Sequence, residues 1–156
     1  MSARLDYNKV APDLLRAVYG AAVPLHKSTL GEPLLEMINL RASQLNGCAL
    51  CLDLHARTLV DLGVEWTKIN LVAGWREAKD FDARERAALA WTEALTRLDR
   101  RDIDEAYAQI KNVFSEREQV ELTHAIGIIN IYNRYNVAFQ AEPMGLSLAQ
   151  LMKKAS

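Results

Sequence analysis

The fold and the chemistry of this chain both centre on residues 36–62, EMINLRASQLNGCALCLDLHARTLVDL. Both cysteines of the chain lie in this stretch, as Cys48-Ala-Leu-Cys51, and His55 follows four residues later. If the residues after Gly47 form a helix, Cys48, Cys51 and His55 fall at i, i+3 and i+7 and share one stripe with several leucines. The spacing therefore predicts that two thiols and an imidazole point into a mostly apolar interior.

Length and composition indicate a globular protein with one hydrophobic core. The chain has 156 residues, of which half are apolar and a quarter are charged. Its net charge of −1 gives no overall field that would attract nucleic acid or anionic lipid. We expect a single domain over residues 1–156, with a core at about residues 10–143 and a C-terminal tail at 144–156.

The chain shows no targeting or membrane signal. The first fifteen residues lack the apolar run of a secretory signal, and the most apolar stretch, residues 125–131, is too short to span a bilayer. We therefore expect a cytoplasmic protein with neither membrane nor nucleic-acid partners. In a reducing compartment, two cysteines three residues apart are more typical of a reactive pair than of a structural disulfide.

The composition favours an all-α fold, a single-domain multi-helix bundle, because good helix formers dominate and β-branched runs are scarce. Capping and turn signals divide it into segments at residues 12–22, 31–46, 48–62, 65–77, 82–98, about 102–113, and 115–139. Asp102 or Asp104 is the expected cap of the sixth segment. Trp66 is expected to pack in the fourth. The expected inward-facing side chains of the first segment are Leu14, Leu15, Val18 and Tyr19.

The central stretch has the elements of a proton relay to a thiol. A Cys-x-x-Cys at a helix start lowers one cysteine pKa from about 8.5 to roughly 3.5–7.5. His55, one turn beyond Cys51, can accept or relay a proton. Glu36 lies on the preceding helix, on the side that can face the thiols, and a carboxylate buried there needs a partner such as His55. The helix dipole favours Cys48 as the nucleophile, because Cys48 is nearest the helix start.

Plainer interpretations stay open for each residue. The cysteines can be two small buried hydrophobes, His55 a core histidine bound to a carbonyl, and Glu36 a partly solvated helix residue. Zinc is less favoured, because a structural site uses four ligands and no second cysteine or histidine pair accompanies the first, so no metal is expected. Phosphate loops and Gly-x-Ser-x-Gly are absent from the sequence, which gives no support to nucleotide binding or serine hydrolysis.

The spacing of these residues resembles a known family. Glu36, then Cys48-x-x-Cys51 twelve residues later, then His55, look like the core motif of the alkylhydroperoxidase D-like family in the carboxymuconolactone decarboxylase superfamily. The flanking residues 40–48, 75–78, 85–91 and 129–134 are also similar to it, and the resemblance covers about residues 10–143. The resemblance implies an all-helical subunit that assembles into homotrimers or homohexamers.

The resemblance also implies an activity, namely reduction of hydrogen peroxide or organic hydroperoxides. Cys51 would then be attacked first and Cys48 would resolve the sulfenic acid to a disulfide, with His55 and Glu36 relaying the proton through a water. No bound cofactor is implied. The reductant would be an external dithiol, such as a dihydrolipoyl group on a lipoyl-bearing protein, with a peroxiredoxin as a further partner. Here Ala49 and Leu50 stand where that branch often has a second histidine.

The family and the helix dipole disagree on the attacking sulfur. We follow the family and assign Cys51, because His55 is closer to Cys51 than to Cys48 along the helix. One alternative function keeps the same residues in a disulfide reductase or redox relay that serves a partner protein. Another is a non-catalytic oligomer that senses redox state or is purely structural. A decarboxylase is least favoured, because those relatives use no paired cysteines.

Overall fold

The computed structural model describes residues 3–155, and over those residues the chain is helical, with two 3₁₀ segments and no strand. The all-α prediction is confirmed. No helix within residues 3–155 is both long and apolar enough to cross a membrane. The 3₁₀ segments are Val23–Lys27 and Val72–Gly74, and the α helices are α1 (Tyr7–Val10), α2 (Pro12–Ala22), α3 (Glu32–Asn46), α4 (Ala49–Asp61), α5 (Trp66–Leu71), α6 (Ala83–Arg97), α7 (Arg100–Val113), α8 (Glu116–Phe139) and α9 (Leu148–Ala155).

The capping signals in the sequence set several helix boundaries. Both α6 and α8 begin with a capping box, in which the N-cap side chain and a glutamate three residues later bond each other's backbone N–H groups, as predicted. Helix α3 ends at Gly47, which has a φ of 65° in the left-handed region. Glycine adopts this conformation without a steric cost, so the chain turns at once into α4. This turn packs α3 and α4 against each other.

Helix α3 lies between two sets of buried side chains. It contacts α4, α6 and α8. Its larger contact surface belongs to the main core, whose fully buried members include Met37, Ile38, Leu59, Leu89, Ile110, Leu122 and Ile126. A smaller buried cluster joins Ala42 of α3 to Ile129 of α8 and to both cysteines. The thiols are therefore held between three helices that the main core already fixes.

The bounds of α2 agree with the prediction, but the side chains that were expected to face the core are not buried. None of the described residues of α2, Pro12–Ala22, is buried, and Leu14 and Tyr19 are each 53% exposed. Trp66 is 64% exposed, although it was expected to pack. The predictions were wrong because periodicity identifies an apolar stripe and does not identify what covers it.

Other differences concern short elements. The fourth predicted segment is α5 followed by the 3₁₀ segment Val72–Gly74, and it does not continue to residue 77. Helix α7 is capped by Asp99, which accepts the N–H of Arg101, rather than by Asp102 or Asp104. Helices α1 and α9 were not predicted as helices, because each is too short to show a clear apolar period.

Candidate functional site

The turn at Gly47 places Cys48 at the N-cap of α4. Its backbone is extended, and its Sγ accepts the N–H of Cys51 at 3.4 Å, in the way that a serine oxygen caps a helix. Cys51 lies one turn into the helix. Both cysteines are free thiols, and they are 1% and 2% exposed respectively. The structure therefore brings the two predicted sulfur atoms into one buried site.

Glu36 and His55 form a second buried pair. Glu36 Oε2 lies 2.7 Å from His55 Nδ1, and the other carboxylate oxygen accepts the side-chain amide of Asn39 at 3.1 Å. When the carboxylate is ionised it can only accept, so the Nδ1 that faces it carries the proton and Nε2 is the ring nitrogen that can take another. The predicted contact between these helices is present, and it orients the imidazole.

The ring and the thiols share the buried face of α4, with His55 one turn beyond Cys51. Among the hydrogen bonds of residues 3–155, none joins the imidazole directly to a sulfur. A proton that passes between them needs a bridging water or a small rotation of the ring. The placement is that of the predicted relay, and the catalytic roles of Glu36, His55, Cys48 and Cys51 stay predictions.

Helix α8 contributes two amides that the sequence analysis missed. Asn136 Nδ2 donates to Cys51 Sγ at 3.1 Å. Asn133, one turn earlier, donates to Ser43 Oγ at 3.1 Å and accepts from Asn46 at 2.9 Å. The available signal was a buried stripe at alternating spacings of four and three, which is apolar at first and ends in the two amides: Leu122, Ile126, Ile129, Asn133 and Asn136.

The two thiols have opposite pKa shifts, because one hydrogen bond joins them. The bond from the Cys51 thiol to Cys48 lowers the pKa of Cys48 to about 6 against the opposing effect of burial, and the Cys51 N–H and the amides of Asn133 and Asn136 act in the same direction. The same bond, burial and the charge on Cys48 raise the pKa of Cys51. The first thiolate of the reduced pair is therefore on Cys48.

The lower pKa of Cys48 agrees with the helix-dipole argument for that residue. It describes the reduced pair before any peroxide has bound. It does not by itself identify the attacking sulfur, because the two groups share a proton and titrate as a pair. If the proton leaves Cys51 instead, the negative charge lies on Cys51, which can then attack as the nucleophile. The assignment of Cys51 as the attacked sulfur stays a prediction.

We expect the ultraviolet thiolate absorbance of the reduced protein to rise with pH through an inflection at about 6. A lowered pKa means that the thiolate is present above the inflection and is lost below it. Cys48→Ser should abolish this inflection. Cys51→Ala should move it to higher pH, because it removes the side-chain donor to Cys48. A wild-type inflection at the ordinary thiol value of about 8.5 would contradict the assignment.

The surroundings of the thiols limit what can react there. Within residues 3–155, histidine, cysteine, aspartate and glutamate side chains form no group of three or more that could hold a metal ion. Two surface clefts of about 300 and 370 Å³ are lined by other residues, on the outer face of α4 and around Arg41 and Glu93. The thiols lie outside both clefts and are almost fully buried, so a reactant has to be small or thin to reach them.

The chain belongs to the carboxymuconolactone decarboxylase family, whose model matches residues 11–94. Its fold is that of alkylhydroperoxidase D-like proteins. A solved structure described as an alkylhydroperoxidase AhpD core, an uncharacterised peroxidase-related protein from Ralstonia eutropha JMP134, shows this likeness of fold at 21% identity, with a TM-score of 0.72 over 85% of this chain and 71% of that chain.

Two other relatives match over most of their length. The uncharacterised protein YdfG of Bacillus subtilis (strain 168) is 30% identical over 139 residues, which are 88% of this chain and 95% of YdfG. The crystal structure of ATU0492 from Agrobacterium tumefaciens, a protein of unknown function named as a candidate antioxidant defence protein AhpD, has a TM-score of 0.87 at 35% identity and covers 91% of this chain and 98% of its own. The family is named for an enzyme, carboxymuconolactone decarboxylase, and this membership supports an enzyme.

Proposed function

We propose that this protein is a thiol-dependent peroxidase that reduces hydrogen peroxide or small organic hydroperoxides. The observation that supports the proposal best is the pairing of two free, buried cysteines with a Glu36–His55 pair one helical turn away. The likeness to ATU0492 at 35% identity supports an antioxidant role of this kind.

The oxidation proceeds in two steps. The Cys51 thiolate attacks the terminal oxygen of the hydroperoxide, the O–O bond breaks, and the alcohol or water leaves after taking a proton, which gives a sulfenic acid on Cys51. The Cys48 thiolate then attacks Cys51 Sγ, so that an S–S bond forms, the S–O bond breaks, and the sulfenic hydroxyl takes up a proton from solvent and leaves as water. One hydroperoxide is reduced by two electrons and the dithiol is oxidised by two.

The Glu36–His55 pair supplies the proton transfers. The basic Nε2 of His55 receives the Cys51 proton and returns it to the leaving oxygen, through a water. Glu36 accepts from Nδ1 and stabilises the imidazolium between these two transfers. The hydrogen bond to Cys48 and burial raise the pKa of Cys51, so a base is needed if Cys51 is to attack.

An external dithiol closes the cycle by thiol–disulfide exchange, and its own oxidation supplies the two electrons. Because the sulfurs are 1% and 2% exposed, a thin reductant reaches them more easily than a protein surface does. A dihydrolipoyl group on the flexible arm of a partner protein has this shape, and a peroxiredoxin partner is consistent with the same cycle. The burial also favours a hydroperoxide over a protein disulfide as the oxidant.

We further propose a homotrimer or homohexamer as the working assembly. Helix α2 and the residues beside it expose an apolar stripe that a neighbouring subunit can cover, comprising Val10, Leu14, Tyr19 and Val23. A neighbouring subunit on this stripe would account for an amphipathic helix that buries none of its described residues, Pro12–Ala22, within one chain.

Mass spectrometry after one molar equivalent of hydrogen peroxide tests the proposed function. We expect an intramolecular disulfide in the wild type, a trapped sulfenic acid in Cys48→Ser, and little reaction in Cys51→Ser, because only the attacked sulfur takes up oxygen. A sulfenic acid trapped in Cys51→Ser would reverse the two roles within the same class of enzyme. An unreactive wild type that still reduces protein disulfides would overturn the proposal in favour of a redox relay.

A further inference from the structure

The buried stripe of α8 ends in two amides at the point where it meets the thiols. Asn133 and Asn136 continue the register of Leu122, Ile126 and Ile129, and both are buried. A buried amide is unfavourable unless its donors and acceptors are all bonded, so each has to be accounted for by its partners. Asn133 donates to Ser43 and accepts from Asn46, which fasten α8 to α3, and its amide also lies close enough to the thiols to lower the pKa of both. Asn136 instead donates directly to a sulfur.

Asn136 bridges a sulfur and a phenol. Its Nδ2 donates to Cys51 Sγ at 3.1 Å, and its Oδ1 accepts the hydroxyl of Tyr7 at 2.5 Å. Tyr7 lies 129 residues away in the sequence, on the four-residue helix α1. Its ring packs on Tyr135 and Phe139, with centroids 5.4 and 5.6 Å apart. The N-terminal segment is therefore held against α8 at the level of the thiols.

The orientation of this amide has a chemical consequence. A side-chain amide presents either its oxygen or its nitrogen to a neighbour, and a thiolate can bond only with the nitrogen, because it has no hydrogen to donate. The Tyr7 hydroxyl is a good donor to Oδ1 and so favours the orientation in which N–H faces Cys51. A hydrogen bond from N–H to sulfur stabilises the thiolate over the thiol.

We propose that Asn136 is a catalytic residue that donates a hydrogen bond to the Cys51 sulfur, and that Tyr7 is a positioning residue that keeps the amide in the donating orientation. The inference rests on the proposed function, because that function makes this sulfur the reacting atom. The hydrogen bond itself can be tested without any hydroperoxide.

The test measures the Cys51 thiolate alone, in a Cys48→Ser background. Thiolate absorbance and the rate of alkylation by iodoacetamide are followed as functions of pH. Asn136→Leu should lower the alkylation rate at a fixed pH below the inflection by about tenfold or more, as expected for a lost hydrogen bond to a charged group. Tyr7→Phe should act in the same direction by a few-fold, because it removes only the hydroxyl that orients the amide.

Two variants separate this role from packing. Asn136→Asp keeps the shape but replaces the N–H donors with a carboxylate, so it should move the inflection at least as far as Asn136→Leu. Tyr135→Phe removes a hydroxyl from the same aromatic cluster and should leave the inflection unchanged. His55, Glu36 and Tyr132, which belong to the same buried region, are the same in every variant. Tyr7 is also titratable and interacts with the Cys51 charge, and only Tyr7→Phe removes it.

The outcomes are distinct. Inflections that agree within error in the parent, Asn136→Asp and Tyr7→Phe would overturn the inference, and so would equal shifts in Tyr7→Phe and Tyr135→Phe. If Asn136→Leu does not fold, Tyr7→Phe still tests the inference, because it keeps the packed aromatic ring and removes only the hydroxyl. A protein that shows the shifts but does not react with hydroperoxide would overturn the proposed function and leave this inference standing.

Discussion

Glu93→Leu is expected to lower the free energy of unfolding by about 3–5 kcal/mol, because it leaves the Arg41 guanidinium, whose side chain is only 12% exposed, without its counter-ion. Glu93 is 4% exposed. Arg41 contacts Oε1 with Nε at 2.8 Å and with Nη2 at 2.6 Å. The indole N–H of Trp75 donates to the same oxygen at 2.8 Å, and Arg76 lies 2.7 Å from Oε2. Urea unfolding of the wild type and the variant measures the difference.

Two controls test whether burial causes this loss. Arg97 lies 3.5 Å from the same carboxylate but its side chain is 49% exposed, so Arg97→Leu should cost less than about 1 kcal/mol. The double variant Glu93→Leu/Arg41→Leu should lose less stability than the sum of the two single variants, because no unpaired buried charge is left between them. A Glu93→Leu variant as stable as Arg97→Leu would contradict the argument.

The pH dependence of stability follows the same contacts. Burial alone would raise the pKa of Glu93, but hydrogen bonds from Trp75 and Arg41 and the charges of Arg41 and Arg76 outweigh it, so the pKa is below its usual value. A lowered pKa gives stability that is fully present above the unfolded value of about 4.3 and is lost as the pH falls through the folded value. The wild type should lose this part of its stability in acid, and Glu93→Leu should lack it.

This ion cluster also matters for the site. Arg41 and Glu93 tie α3 to α6, and α3 carries Glu36 on the side that faces α4. Movement of α3 would change the distance between Glu36 and His55, which belong to different helices. We therefore expect destabilisation at Glu93 to loosen the thiol site, although no atom of Glu93 contacts it.

The contact between Glu36 and His55 could be predicted from local rules. Helical periodicity gave the face of each residue, and the left-handed glycine signal at residue 47 implied a short turn between two packed helices. Few arrangements of two helices joined in this way are possible, so the pairing followed. The positions of Cys48 and Cys51 at the start of α4 followed from the same turn.

The amide at Cys51 could not be predicted in this way. Tyr7 and Asn136 are 129 residues apart, and no periodic pattern relates α1 to the end of α8. The four-residue length of α1 is below what an apolar period can show. The exposure of Leu14 and Trp66 was missed for a related reason, because a single sequence does not specify which other surface covers an apolar stripe.

Given the proposed function, His55→Ala is expected to slow hydroperoxide turnover by about 10²–10⁴-fold, the usual contribution of a positioned acid or base. The imidazole lies one turn beyond Cys51 on the same buried face of α4, and its Nδ1 is held 2.7 Å from Glu36. Glu36→Gln should have a smaller effect, because an amide oxygen can still accept from Nδ1 but does not stabilise the imidazolium by charge. Steady-state reduction of hydrogen peroxide with a dithiol reductant measures both variants.

Added imidazole distinguishes a lost base from a damaged structure. His55→Ala removes a buried ring, and a free imidazole that enters the space it leaves can carry the proton again, so turnover should rise with imidazole concentration. His26 is exposed and lies away from α4 in the sequence, so His26→Ala should turn over like the wild type and should not respond to imidazole. Wild-type turnover in His55→Ala would exclude the relay while leaving the cysteine pair as the reactive centre. The two thiols would then depend for activation on the helix start and on the amide of Asn136.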